Sequence, residues 1–400
     1  MRNTAVGTFL VLAAALLSLP ATQAAAQARF ATIYNFTEGA PIGLVAANGN
    51  LYGAFAGVAP TGSDCGDIFE LDPPPGGGGA WTQTALYSFA GTYADGCDPG
   101  VAPIAGARGV LFGTTLSRGT NGFGTFYDLR PPSAPAGPWM EATLYRFGAN
   151  VGPAISRPVP GPQGSFYLLS ADGAYGYGAL SQLQPPAAQG GTWTGTVLYS
   201  FPPGAPPDSL IMGPNGVFYG TTLYIVPGPP AGVIFQLTPP AAPGGTWTET
   251  EIYRLGPGDG SSPNSLTLGS DGILYGTTYG SNEATSGRGV VFQLTPPSST
   301  GGNWTYTVLI DFQGAHLNSP LLLHNGKLYG TLATPVGGWV FELEPPPTPG
   351  GSWTTIYLHH FTNSQTPGGT LVLDKDGILY GATGGRGPSA SGTIYRVLTE

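Results

Sequence analysis

The chain has 400 residues, of which 41% are hydrophobic and only 9% charged, with 66 glycines, 41 prolines and a formal net charge of −9. Disorder calls for low hydrophobicity and high net charge, so this composition excludes it; the glycines and prolines punctuate a core-forming chain. A nucleic-acid binder would carry a basic stripe, and none is visible, so no nucleic-acid partner is expected.

The first residues read as an export signal: Arg2, an apolar run from Ala5 to Leu19, Pro20, and Ala26-Gln27-Ala28 as a small-residue cleavage site. Residues 1–28 are therefore expected to be removed, leaving 29–400 as one domain. The apolar run is shorter than a membrane span of about 20 residues, and no later stretch qualifies. The expected location is secreted or periplasmic, and the expected state a monomer.

After this segment three signatures repeat. A Leu-Tyr-x-Phe type strand ends at Phe36, Phe89, Phe147, Phe201, Leu255, Phe312 and Phe361, at intervals of 49–58 residues. A Leu-Tyr-Gly type strand lies around Tyr52, Phe112, Tyr167, Tyr219, Tyr275, Tyr329 and Tyr380, and a Phe-x-Leu type strand ends at Leu71, Leu129, Leu183, Leu237, Leu294, Leu343 and Val397. Repeats of this size, each with four short strands, predict an all-β, seven-bladed propeller with four antiparallel strands per blade. We name the strands a to d from the central channel outward.

Between a and b, Asn48-Gly49, Asn215-Gly216, Asp271-Gly272, Asn325-Gly326 and Asp376-Gly377 predict tight turns with positive φ at both positions. In strand d, Trp304, Tyr306, Val308, Ile310 and Phe312 are spaced to share one face. The glycine of Leu-Tyr-Gly is expected to admit a neighbouring backbone. The third unit reads Leu168-Leu169-Ser170 with Ser181 in place of the later aromatic, and the sixth reads Gly330-Thr331-Leu332; both read as drift. The chain opens with a d-type strand, 29–36, and closes with an a, b, c set. The first strand is therefore expected to complete the last blade, antiparallel to 393–397.

The motif Gly272-Ile273-Leu274-Tyr275-Gly276-Thr277-Thr278 followed by Gly289-Val290-Val291-Phe292-Gln293-Leu294 resembles the bacterial tandem repeat called GloVer, found in exported proteins. The resemblance spans the mature chain and implies no activity or site residue. Many members end in a sorting anchor, whereas this chain ends at Leu398-Thr399-Glu400, so release is expected.

No serine-nucleophile, phosphate-loop or metalloprotease motif is present, so no catalytic residue, cofactor or metal ligand is assigned. His359 and His360 are adjacent in a strand and point to opposite faces, which defeats joint ligation. His324 stands beside an a–b turn. Asp374-Lys375-Asp376-Gly377 opens like a calcium loop but lacks the ligand glutamate, and reads as a turn. Asn35-Phe36-Thr37 and Asn303-Trp304-Thr305 match the glycosylation pattern at strand positions, where it carries little weight.

Connections c to d are uniform Pro-Pro, Gly-Gly spacers, whereas b–c and d–a loops vary and share one face. The candidate ligand face therefore comprises Arg118, Phe123, Tyr175, Tyr177, Tyr279, Glu283, Arg288 and His316, with a glycan or protein as the expected partner. Cys65 and Cys97 lie in a b–c loop and the next d–a loop, so an oxidising compartment should join them. The reading from sequence is a binding module of unidentified ligand. A carbohydrate-active or lactone-type enzyme with its site at the channel mouth, and a purely structural repeat protein, are the alternatives.

Overall fold

The computed structural model describes residues 30–399 except positions 38, 58–60, 62, 78, 93, 135–136, 172, 174–175, 189, 223–231, 243, 281–287, 300, 314, 318, 335–336, 349, 363–364 and 385–390. Among the described residues all regular structure is strand, apart from four short 3-10 turns. The strands form seven antiparallel sheets. The protein is a seven-bladed propeller. Blade five shows the repeat in full, with a at Pro263–Leu268, b at Leu274–Thr278, c at Arg288–Thr295 and d at Thr305–Gln313. In blade two the inner strand is broken into Cys97–Pro99 and Ile104–Ala105, both paired with strand b.

The last sheet consists of Thr366–Leu373, Ile378–Gly384, Thr393–Leu398 and, outermost, Phe30–Asn35 from the other end of the chain. Phe30 pairs with Val397 and Asn35 with Thr393, antiparallel as expected. The other d strands are preceded by a tryptophan eight residues before their final Phe or Leu; here that place falls at Ala28, outside the described residues. Phe30 instead lies flat on His359 of blade six, ring centroids 3.3 Å apart. Burial and the neighbouring His360 push the His359 imidazole down to about 4, so it packs neutral. His360 stacks on Trp339 instead, so the two histidines do face opposite ways.

The glycine of strand b answers chiefly to a ring, and less to backbone than the sequence suggested. A Cβ on Gly276 would overlap Phe292 Cζ and stand 2.7 Å from the Ser265 carbonyl oxygen. A ring likewise covers Gly53 (Phe69), Gly220 (Phe235), Gly330 (Phe341), Gly113 (Tyr127) and Gly381 (Tyr395), with a backbone carbonyl also close at Gly53 and Gly220. Each strand-c ring thus covers its cross-strand glycine, and burying a ring of this size contributes about 1.5–3 kcal/mol. Blade three inverts the arrangement, with Leu168 directly opposite Ser181. Large and small have changed places, so what looks like drift is a volume-conserving exchange.

The threonine after that glycine holds strand a to strand b. Ser209 to Thr221, Ser265 to Thr277 and Ser319 to Thr331 are hydroxyl pairs at 2.8, 2.8 and 2.6 Å. Buried hydroxyls need such partners.

Seven buried apolar clusters fill the seven seams between neighbouring blades. The d-strand tryptophan belongs to the seam: Trp81 meets Tyr380, Trp139 meets Tyr52, Trp304 meets Tyr219 and Trp353 meets Tyr275, each on the preceding blade, with centroids 5.8–6.2 Å apart. Strict alternation in strand d does not hold. Phe292 pairs with Val308 and Val291 with Ile310, so Leu309 is bulged and Val308 turns to solvent at 37% exposure. A register shift at the c–d pairing recurs in every blade.

The turns follow the sequence with one correction. Asn48-Gly49, Asn215-Gly216 and Asn325-Gly326 take positive φ at both residues, whereas at Asp271-Gly272 and Asp376-Gly377 only the glycine does. The c–d spacers share one turn, closed by Gly137, Gly191, Gly245, Gly302 and Gly351, each donating to a carbonyl three residues earlier at 3.1–3.2 Å.

Candidate functional site

The b–c and d–a loops meet on one face, and the Cys65–Cys97 disulfide is its clearest mark, with Cα atoms 4.5 Å apart. The amide of Asp98 donates to the Cys65 carbonyl at 2.9 Å, and the Asp98 carboxylate accepts from Gly57 N at 3.1 Å and Ser117 Oγ at 3.0 Å. Closing a loop of this length stabilises a fold by about 3–4 kcal/mol on the chain-entropy account.

Over this bridge lies an open hollow of about 550 Å³ lined by Thr61, Ser63, Asp64, Ser88 and Arg118. Its walls are held by their own hydrogen bonds: Ser63 Oγ donates to the Phe89 carbonyl at 2.8 Å and Thr61 Oγ1 to Asp67 at 2.6 Å. Arg118 has a positive φ of 59° and reaches the Gly91 carbonyl at 3.4 Å. Burial would raise the pKa of the Asp95 carboxylate, but it accepts from Ala90 N, Thr92 N, Thr92 Oγ1 and Tyr87 OH, and these bonds together hold that pKa below the usual carboxylate range. Asp259 repeats part of this in blade five, accepting from Gly256 N and Tyr253 OH at 2.8 Å each.

Of the expected ligand-face residues, Tyr279 and His316 come together. Their rings stack at 4.8 Å, His316 Nδ1 lies 3.2 Å from the Tyr279 carbonyl, and the His316 backbone is pinned to Ala333 by two 2.9 Å bonds. Tyr279 is 37% exposed and Tyr177 38%. Phe123 bridges to Arg118 through its backbone, while its side chain packs partly buried on the core between blades two and three. Arg288 begins strand c opposite Gln313. Tyr175 and Glu283 lie outside the described residues. Arg118 and the Tyr279–His316 pair belong to different sectors, blade two and the junction of blades five and six.

A larger cavity, about 720 Å³, opens on the opposite face, at the seam where blade seven meets blade one. The a–b turns and the c–d spacer form its rim, with Trp81, Tyr380, Asp374 and Arg396 among its walls. Reading the sequence placed no ligand there.

The inner strands add two charged groups. Asp208, on strand a of blade four, takes the repeat position where Asn264 of blade five donates to the Leu317 carbonyl of the next blade and accepts from Thr277 at 2.6 Å. An ionised carboxylate has no proton to donate there, and burial pushes Asp208 up to about 6. Arg157, in the corresponding segment of blade three, donates from Nη2 to the Pro103 carbonyl at 2.7 Å, while its buried Nε has no partner. Burial lowers its pKa from the usual guanidinium range.

Because the folded pKa of Asp208 exceeds the unfolded value of 3.8, its contribution to stability is complete below pH 3.8 and is lost as the pH rises through about 6. Asp208→Asn should therefore match the parent near pH 4 and exceed it by about 1–3 kcal/mol at pH 7. Thermal melts of both proteins across that window check this. A difference that does not vary with pH would contradict it.

Among the described residues no three His, Cys, Asp or Glu side chains cluster as a metal site, and no helix is long and apolar enough to cross a membrane.

Residues 206–400 match the family model described as the Gloeobacter/Verrucomicrobia repeat. No curated protein matches the chain. Among solved structures, an ulvan lyase superposes with a TM-score of 0.58 at 12% identity, covering 92% of this chain and 96% of its own. An inactive virginiamycin B lyase from Staphylococcus aureus gives 0.54 at 14%, covering 93% and 99%. A puromycin-hydrolysing peptidase from Mycobacterium tuberculosis gives 0.55 at 14%, covering 91% and 52%. At such identities the likeness establishes the fold alone.

Proposed function

Residues 206–400 belong to the Gloeobacter/Verrucomicrobia repeat family, and from that premise we propose that this propeller is an exported binding module taking a small hydroxyl-rich ligand, an oligosaccharide, on its b–c and d–a loop face. The observation that carries the reading is the hollow over Cys65–Cys97, where Arg118 stands beside the hydroxyls of Ser63 and Thr61, already fixed by internal hydrogen bonds. A site whose walls are ordered before binding loses little entropy when it is filled. The stacked Tyr279 and His316 give the same face an aromatic surface on which a sugar ring can lie. The disulfide and the leader-like residues 1–28 support export.

An array of neutral oligosaccharides tests the proposal. Arg118→Ala should weaken retention of the best ligand at least roughly fivefold while the melting temperature stays unchanged, since exposed side chains contribute little to stability. A protein that retains no oligosaccharide, or retains it equally after the substitution, would refute it.

Asp208 favours a second reading, catalysis in the channel. A carboxyl held at about 6 can act as acid or base near neutral pH. Turnover of polysaccharides or lactones that vanishes in Asp208→Asn would put this reading first.

A further inference from the structure

The seven blades provide an internal standard against which an odd residue shows. The residue of strand c facing the b-strand Tyr or Phe is Glu70, Asp128, Gln182, Gln236, Gln293 and Glu342 in blades one to six, and Arg396 in blade seven. In all six earlier blades this side chain is engaged within its own blade. Glu70 accepts from Asn50, Asp128 pairs with Arg130, and Glu342 pairs with Lys327. Gln182 donates to Tyr167, Gln236 to Thr238 and Gln293 to Thr295. Arg396 alone has no hydrogen bond or ion pair among the described residues, and it lines the 720 Å³ cavity.

A second departure lies at the same cavity. The residue that opens the a–b turn is Gly106, Gly161, Gly213 and Gly269 in blades two to five, each donating its amide to a carbonyl four residues on. Asp374 makes the same backbone bond to Ile378 but brings a carboxylate. That carboxylate is fully used, accepting from Asp376 N and Ile378 N at 2.9 Å and from Tyr380 OH at 3.1 Å. Lys375 is likewise committed, to Asp376 at 2.7 Å. Among the described residues the cavity thus holds one cation without a hydrogen bond or ion pair, Arg396, beside the aromatic pair Trp81 and Tyr380.

We propose that this seam is a second ligand site, separate from the loop face, which binds a carboxylate-bearing saccharide with its acid group on Arg396 and its ring over Trp81 and Tyr380. A guanidinium offers a carboxylate two parallel N–H donors, and that geometry is lost with a neutral hydroxyl in its place. The aromatic surface supplies apolar contact to the ring face without competing for the charge. Ala31–Ile33 also line the cavity, so the site is complete only when the first strand closes the ring.

The test uses the full exported chain with oligogalacturonate as probe, and with the same oligosaccharide after reduction of its carboxylates, in calorimetry at low salt. Oligogalacturonate should bind at least roughly tenfold more tightly than the reduced form. Arg396→Gln restores the residue that blades three to five carry, so it should fold normally and abolish that preference. Arg396→Lys keeps the charge without the fork and should lose at least roughly fivefold. Equal binding of both probes, or an unchanged preference in Arg396→Gln, overturns the proposal. Arg118→Ala should leave oligogalacturonate binding intact; loss there instead would assign the ligand to the loop face and sink the seam site alone.

Discussion

Leu168→Gly and Ser181→Phe should each destabilise the protein by about 2–4 kcal/mol, and combining them should recover most of that loss. Leu168 is fully buried and faces Ser181 across strands b and c, where other blades place a glycine under a ring. Glycine alone leaves a void of leucine size; phenylalanine alone has no hollow to enter. Together they rebuild the Gly276–Phe292 arrangement of blade five. Urea unfolding of the four proteins gives the coupling, expected at about 2 kcal/mol or more. Additive losses would show that the third blade has no memory of the common pattern.

Deleting residues 30–36 should have the largest effect of all: no cooperative melt at the parental temperature, and aggregation on warming. The strand buries Phe36 at 4% exposure in the cluster that joins blades seven and one, and packs Ile33 and Tyr34 against the same cluster. Its apolar side chains together contribute about 6–12 kcal/mol as an upper estimate, against a total stability of about 5–15 kcal/mol for a domain. Its loss also leaves Thr393–Leu398 as an unpaired edge. A synthetic peptide of residues 29–36 should restore part of the transition in proportion to its concentration. A truncated protein that melts like the parent would show that closure contributes nothing.

The sequence made the architecture legible because each blade repeats the same side-chain demands, and the strand left over at each end had one place to go. It concealed the bulge in strand d, since Trp304, Tyr306, Val308, Ile310 and Phe312 keep a period of two across a register shift that only pairing reveals. The seam site was hidden for another reason. Arg396 and Asp374 belong to ordinary strand and turn segments, and they stand out only when all seven blades are laid on one another. A signal did exist at Asp208: Pro207-Asp208-Ser209 differs from Pro263-Asn264-Ser265 by one residue, an amide exchanged for an acid. Phe123, an aromatic in a glycine-rich loop, packs partly buried against the core between blades two and three, a contact its sequence neighbours do not reveal.

The pairing of Phe30 with Val397 has a consequence for the order in which the chain matures. Synthesis runs from the first residue, so this strand is made early and must wait for nearly the whole chain before its partner exists. During that wait its unpaired edge can accept the Thr393–Leu398 strand of any finished neighbour, and the two chains then share a blade. Contacts so distant in sequence also form slowly, because the loop they close runs from Phe30 to Val397. Crowded production should thus raise the yield of strand-exchanged dimers, and dilution during maturation should favour the single ring.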